Sequence, residues 1–187
     1  DLNVEWLKPY MAPRRLAETA KFSLDVTRSG GLERAAAGFQ AAVKVRMMHA
    51  HVRLMLDKSP KWRHAEWGLP INQADLVATN TLFSAVYLSG LRVLGLQISD
   101  AESAGVMHLW RYVGYLMGVD EALLATTEEE GVRMAWLSGV TQPPADNDSR
   151  LLGQALMNVP RARAENLLEK AAAEIEVLLR SGLSRII

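Results

Sequence analysis

The hydrophobic positions of this chain recur at helical spacing along most of its length, and no stretch sustains the two-residue alternation of a strand. Residues 1–12 carry Trp6, Pro9 and Tyr10 and read as an irregular lead-in. The helix formers after Pro13 predict a helix that ends near Ser29-Gly30-Gly31. A second helix is predicted over about residues 32–56, with Ala35, Ala36, Phe39, Val43, Met47 and Ala50 as its apolar stripe. Residues 57–71 are rich in proline, tryptophan and charge, and Trp62 and Trp67 predict an ordered loop with its rings laid on the core. A third helix, capped by Asn72 with Asp75 in its first turn, is predicted through residues 76–96, where Arg92 is the one charged residue. That run has the length of a membrane span, yet Thr79, Asn80, Thr81, Ser84 and Ser89 favour a central buried helix. Ser99-Asp100-Ala101-Glu102 and Thr127-Glu128-Glu129-Glu130 are capping boxes, opening a fourth helix that runs to Gly118 and a fifth toward Gly139. Past the polar loop at residues 143–148, two further helices are predicted over 149–159 and 160–180. The pattern predicts an all-α fold, a single-domain bundle of about seven helices over residues 13–187.

Composition narrows the function. With 187 residues and 49% hydrophobic content the chain can bury a substantial core. Lys+Arg and Asp+Glu are equal at 21 each, so no global field draws in nucleic acid, and an anionic partner must be met by local clusters. The absence of cysteine excludes disulfides, thiolate nucleophiles, zinc–thiolate sites and iron–sulfur clusters. The chain starts at Asp1 without a secretory pattern, which reads as a processed or truncated protein, with a cytoplasmic or membrane-associated location favoured. There is no His-Glu-x-x-His, no Glu-x-x-His repeat, no Gly-x-Ser-x-Gly and no phosphate- or dinucleotide-binding glycine loop.

What remains is a polar helix face. Arg46, His49 and Arg53 share one side of the second helix, next to its apolar stripe, whereas His51 lies about 200° round from His49 and cannot join it on one ion. An imidazole flanked by two guanidiniums has the parts that a haem requires: an axial ligand and cations for two propionates. By spacing alone, the commoner explanation of such a face is a surface or internally satisfied one. The fourth helix repeats the pattern, with His108, Arg111, Tyr112 and Tyr115 along one face.

Four blocks change that balance. Arg15-x-x-x-Thr19, Val45-Arg46-x-Met48-His49-Ala50-x-Val52-Arg53, Trp67-Gly68-x-Pro70-Ile71-Asn72-Gln73-x-Asp75-Leu76 and His108-Leu109-Trp110-Arg111-Tyr112-x-Gly114 resemble, in order, the rubber oxygenase catalytic-domain family. That family also includes the latex-clearing proteins and the mycophenolic acid pathway oxygenase, and the resemblance covers roughly residues 13–140. It implies an all-helical haem b domain with His49 as the iron ligand, and Arg15 and Thr19 near the haem. It also implies oxidation or oxidative cleavage of an apolar, isoprenoid-like unsaturated substrate by dioxygen, with peripheral membrane association as a further expectation. Arg53 is the first choice for a propionate contact and Arg46 the second, with His108 and Arg111 at the cofactor's edge or in structural hydrogen bonds.

Two departures qualify the implied chemistry. Rubber-cleaving members carry, one position before the threonine, a lysine that can cap the iron; this chain has Glu18, which faces solvent, pairs with a base such as Arg14, or handles a proton near bound oxygen. Members also carry more chain upstream, including a glutamate proposed as the base, so part of the N-terminal region is expected to be missing and no base is assigned. A haem protein without this activity, such as a peroxidase-like enzyme or a redox or oxygen sensor, and a non-enzymatic helical interaction module are the alternatives.

Overall fold

The protein is described by a computed structural model, in which residues 11–160, 165, 166, 168–170 and 173 are placed. Residues 1–10 of the expected lead-in and most of the helix expected over 160–180 lie outside these residues, and Met11 and Ala12, expected to be irregular, open the first helix. Among the described residues every regular element is helical, as the sequence pattern requires: α1 (Met11–Thr27), α2 (Ala37–Asp57), α3 (His64–Trp67), α4 (Gln73–Phe83), α5 (Ala85–Val93), α6 (Asp100–Met117), a 3-10 turn (Glu121–Leu123), α7 (Glu128–Thr141) and α8 (Asn147–Met157). Contacts divide the chain into two units, residues 1–21 with 143–187 and residues 22–142.

In the larger unit, α6 packs against α2 and α4, while α7 packs against α4 and α5. Its core has three patches. Ala85, Leu88, Met107 and Ala125 form one; Val26, Trp110 and Val113 form the second; Leu76, Val119 and Leu124 form the third. Leu88, Met107 and Val113 are fully buried, and each such side chain contributes about 1.5–3 kcal/mol by leaving water. A polar link ties three helices together: Ser103 on α6 donates to Glu128 on α7 at 2.5 Å, and Glu128 also pairs with Arg92 on α5.

Helix ends follow local chemistry. Asn72, Ser99 and Thr127 each accept from the backbone N–H three residues on, and Asp75, Glu102 and Glu130 return the bond, so all three caps close as reciprocal boxes. Gly118 ends α6 in the left-handed conformation (φ 94°). Asp146 caps α8 through the Ser149 N–H at 2.8 Å.

Three expectations are corrected. The helix expected over residues 76–96 is two helices, because at Ser84 the backbone departs from helical geometry (φ −107°, ψ −94°). Thr79, Thr81 and Ser84 all turn their hydroxyls back onto preceding carbonyls, a local competition that bends helices. Among the described residues no helix is long and apolar enough to cross a membrane. The second helix starts five residues late: residues 28–36 form successive turns, with Ala35 at φ 67° and its carbonyl taken by the Gln40 amide. The alanines there favour a helix, but the segment folds back onto the end of α1, where Gly38 abuts the Asp25 carbonyl. Finally, the apolar stripe of α2 is only partly its covered face: Phe39 and Val43 are half-buried, but Met47 is 67% exposed and Ala50 is exposed, while Gly38 and Ala42 are the buried residues of α2.

In the smaller unit, Ala12, Val159, Pro160 and Ala173 are buried. On α1, Glu18 accepts from Arg14 at 2.8 Å and from Arg15 at 2.9 Å, all three being exposed. The Arg14 guanidinium, seconded by Arg15, holds the Glu18 carboxyl below the usual carboxylate range.

Two predictions follow from these contacts. A Cβ on Gly38 would lie 2.5 Å from the Asp25 carbonyl oxygen and 2.7 Å from that of Gly31, both backbone atoms that cannot swing aside. Gly38→Ala therefore destabilises by about 1–3 kcal/mol in urea unfolding, although alanine is the better helix former. For Glu18 the folded pKa is depressed, so its pairing contributes stability above the unfolded carboxylate pKa and loses it as pH falls through the folded value. The difference in urea midpoint between wild type and Glu18→Gln is expected to be small at neutral pH, as for exposed pairs, and to shrink steadily as pH drops below about 4.

Candidate functional site

The face of α2 that carries Arg46, His49 and Arg53 is the one the fold turns toward its neighbours. Residues i, i+3 and i+7 lie along one side of a helix, and all three line a pocket of about 460 Å³ with Asn72, Gln73 and Gly118. Behind it is a second cavity of about 380 Å³ whose wall is mostly apolar: Phe22, Trp62, Phe83, Trp110 and Val113 are among its lining residues. His49, Ile71, Leu76 and Met117 belong to both. His49 is half-buried, with its Nδ1 atom inside the protein. The imidazole thus stands between an apolar chamber and a cationic one.

Each wall has a local cause. Phe83 stacks on Trp110 with ring centroids 4.8 Å apart, and Phe22 tilts against the same indole at 6.4 Å, so one aromatic cluster holds α4 to α6. Gly114 allows the close approach of these helices, since a Cβ there would meet the Leu124 methyl at 2.6 Å and the Asn80 amide nitrogen at 2.8 Å. Asn80 uses that amide on the Trp110 carbonyl at 2.8 Å. Thr79 donates to the Asp75 carbonyl, and the Asp75 carboxylate closes the cap on Asn72, so two of the cavity's polar side chains serve the helix that carries them and Asn80 ties that helix to α6. Trp62 is fixed by its indole N–H on the Gly68 carbonyl at 2.9 Å and by an edge contact with Trp67, which is the ordered loop that the two tryptophans predict. Gln73 joins the start of α4 to the turn after α6, donating to the Gly118 carbonyl and accepting from the Asp120 N–H.

The two arginines differ. Arg53 donates to the carbonyls of Pro70 at 3.2 Å and Ile71 at 2.6 Å. Arg46 makes one long bond, 3.4 Å, to the Leu116 carbonyl. Among the described residues neither has a carboxylate partner. Two guanidinium charges beside one imidazole suit an anionic ligand. Among the described residues no group of three or more His, Cys, Asp or Glu side chains converges as a metal site would need. A lone imidazole is, however, the donor set that a porphyrin iron takes from the protein, because the macrocycle supplies the other nitrogens. An imidazole beside an apolar chamber with two cations at its rim therefore fits a haem.

The remaining candidates are elsewhere. His108 and Arg111 line a separate pocket of about 230 Å³ with Tyr112, Tyr115, Glu121 and Leu124, on the side of α6 away from Trp110, Val113 and Gly114. Arg111 pairs there with Glu121 at 3.0 Å. His51 is exposed. Arg15, Glu18 and Thr19 lie on α1 in the smaller unit. Sequence reasoning did not single out Phe22, Phe83 or Asn80 as cavity residues. Phe22 and Phe83 carried only the signal of apolar helix positions, and Asn80 counted as one of several polar residues in an apolar run.

The family described as ER-bound oxygenase mpaB/B'/Rubber oxygenase, catalytic domain, matches residues 10–184. A rubber oxygenase from Streptomyces sp. (strain K30) is 28% identical over 115 residues, a stretch that covers 60% of this chain and 28% of that protein. The chain thus spans little more than a quarter of that relative's length. No solved structure matches the chain. With a family match over almost the whole chain and the four sequence blocks in its order, this protein belongs to the mpaB/rubber oxygenase catalytic-domain family.

Proposed function

We propose that this chain binds haem b against His49 and uses it with dioxygen to oxidise or cleave an apolar, unsaturated substrate. The observation that carries the reading is the position of His49 between an apolar chamber and two arginines without carboxylate partners among the described residues. The haem, when bound, supplies the redox chemistry that activates dioxygen. The chain's own residues do the rest. A neutral His49 imidazole would ligate the iron, and Arg46, whose bond to the Leu116 carbonyl is long, is freer to bind a propionate than Arg53, which is held on two carbonyls. The aromatic walls exclude water and favour a hydrocarbon ligand.

Family membership supports an oxygenase, and the relative's name, rubber oxygenase, supports an isoprenoid-like substrate. Glu18, bonded to Arg15, orients that guanidinium rather than taking the place of an amine ligand. The Arg111–Glu121 pair gives His108 and Arg111 a structural part in their own pocket.

Titration of the purified protein with hemin tests the reading. A Soret band that saturates at one equivalent is expected, and none at any concentration sinks it. Replacing His49 with Ala should weaken hemin binding by more than the roughly 10–100-fold that loss of a mere supporting residue causes, with helical circular dichroism unchanged. Oxygen uptake with a panel of isoprenoids, and carbonyl products, should follow in the wild type. Haem-loaded protein that consumes no oxygen with any alkene would leave a haem protein of another activity.

A further inference from the structure

We infer that Arg53 is a positioning residue: it fastens the Pro70–Ile71 turn in a strained conformation and thereby sets the wall that Ile71 gives to both cavities beside His49. The inference rests on the reading of that pocket as the ligand site.

Ile71 has φ 49°, in the left-handed region where a β-branched side chain crowds its own backbone. Glycine would adopt it without strain, and asparagine with little. Such a conformation persists only where its surroundings over-determine it, and it gathers at functional sites. Here the surroundings are explicit. The Nε and Nη2 donors of Arg53 meet the consecutive carbonyls of Pro70 and Ile71 at 3.2 and 2.6 Å, so one planar fork grips both sides of the strained residue. On the far side, the Asn72 amide donates to the Leu69 carbonyl at 3.1 Å, and the capping box with Asp75 holds the next residues in place. Pro70 is fully buried within this clasp.

The fastening has a purpose at the site. The Ile71 side chain lines both cavities and packs against the patch of Leu76, Val119 and Leu124. If its backbone relaxed to the extended region, the side chain would leave that position and the wall between the chambers would open. Arg53 lies one turn beyond His49 on α2, so a single helix carries both the imidazole and the clamp that places the wall opposite it. A cation that only attracted an anionic ligand would not need this bidentate grip on backbone carbonyls.

A mutant cycle separates positioning from charge. Arg53→Ala and Arg53→Lys are made in the native chain, in Ile71→Gly and in Ile71→Asn, and each protein is titrated with hemin and unfolded in urea. In the native background Arg53→Ala should weaken hemin binding about tenfold or more, and Arg53→Lys nearly as much, because one ammonium cannot reproduce the fork. With Gly or Asn at position 71 the strain is gone, and the loss from either Arg53 substitution should fall to about threefold or less, with the urea midpoints showing the same suppression. Should Arg53→Ala not fold, Arg53→Lys carries the same comparison. An equal loss in all backgrounds, or full affinity in Arg53→Lys, overturns the inference in favour of a purely electrostatic role. If the native protein gives no Soret band the haem reading falls, and suppression in urea alone then decides whether Arg53 is the fastener.

Discussion

A helix face with two arginines and a histidine can be turned inward only if something answers its charges and hydrogen bonds, and much of the larger unit is arranged to do so. Burial of unanswered polar groups costs a few kcal/mol each in a core that contributes only a small net stability. Around α2 the answers come from backbone: the Pro70 and Ile71 carbonyls for Arg53, and the Leu116 carbonyl for Arg46. These acceptors are neutral. They satisfy donors without cancelling charge, and so leave the pocket cationic.

The surroundings serve the same end. Bringing α4 and α6 close enough to wall an apolar chamber requires Gly114 at the crossing, the stack of Phe83 on Trp110, and an Asn80 amide spent on a helix carbonyl. The segment between α2 and α4, irregular apart from the single turn of α3, is heavily pinned, by Trp62 on Gly68, Arg53 on two carbonyls and Asn72 on Leu69. Irregular backbone held this firmly can present side chains as accurately as a helix does. The 3.6-residue period also explains why α6 serves two pockets. Trp110, Val113 and Gly114 face the His49 chamber, and His108, Arg111 and Tyr115 point to the other side, where Glu121 neutralises the arginine.

Much of the fold was legible in the chain because its signals are local. The boxes at Asn72, Ser99 and Thr127 mark helix starts through bonds that span three residues, and Gly118 marks an end for the same reason. The shared face of Arg46, His49 and Arg53 follows from helical period alone, as does the separation of His51 from it. The break at Ser84 was not legible. An apolar run with scattered hydroxyls reads as one helix until Thr79, Thr81 and Ser84 are each seen to bond a carbonyl. The turns over residues 28–36 were hidden in the same way, since alanine's local preference favoured a helix and contact with the end of α1 overrode it.

By itself, then, the sequence determined an all-helical chain, the ends of most helices, the residues that share each face, and through its four blocks the family. Tertiary structure decided which face of α2 lines the pocket, that Met47 of the apolar stripe looks to solvent, and that Ile71 takes a conformation its own chemistry resists. The reason is one of range. Period and capping are set by neighbours three or four residues apart, whereas the direction of a face and the holding of a strained turn depend on partners such as Pro70 and Leu116, 17 and 70 residues away from the arginines they meet.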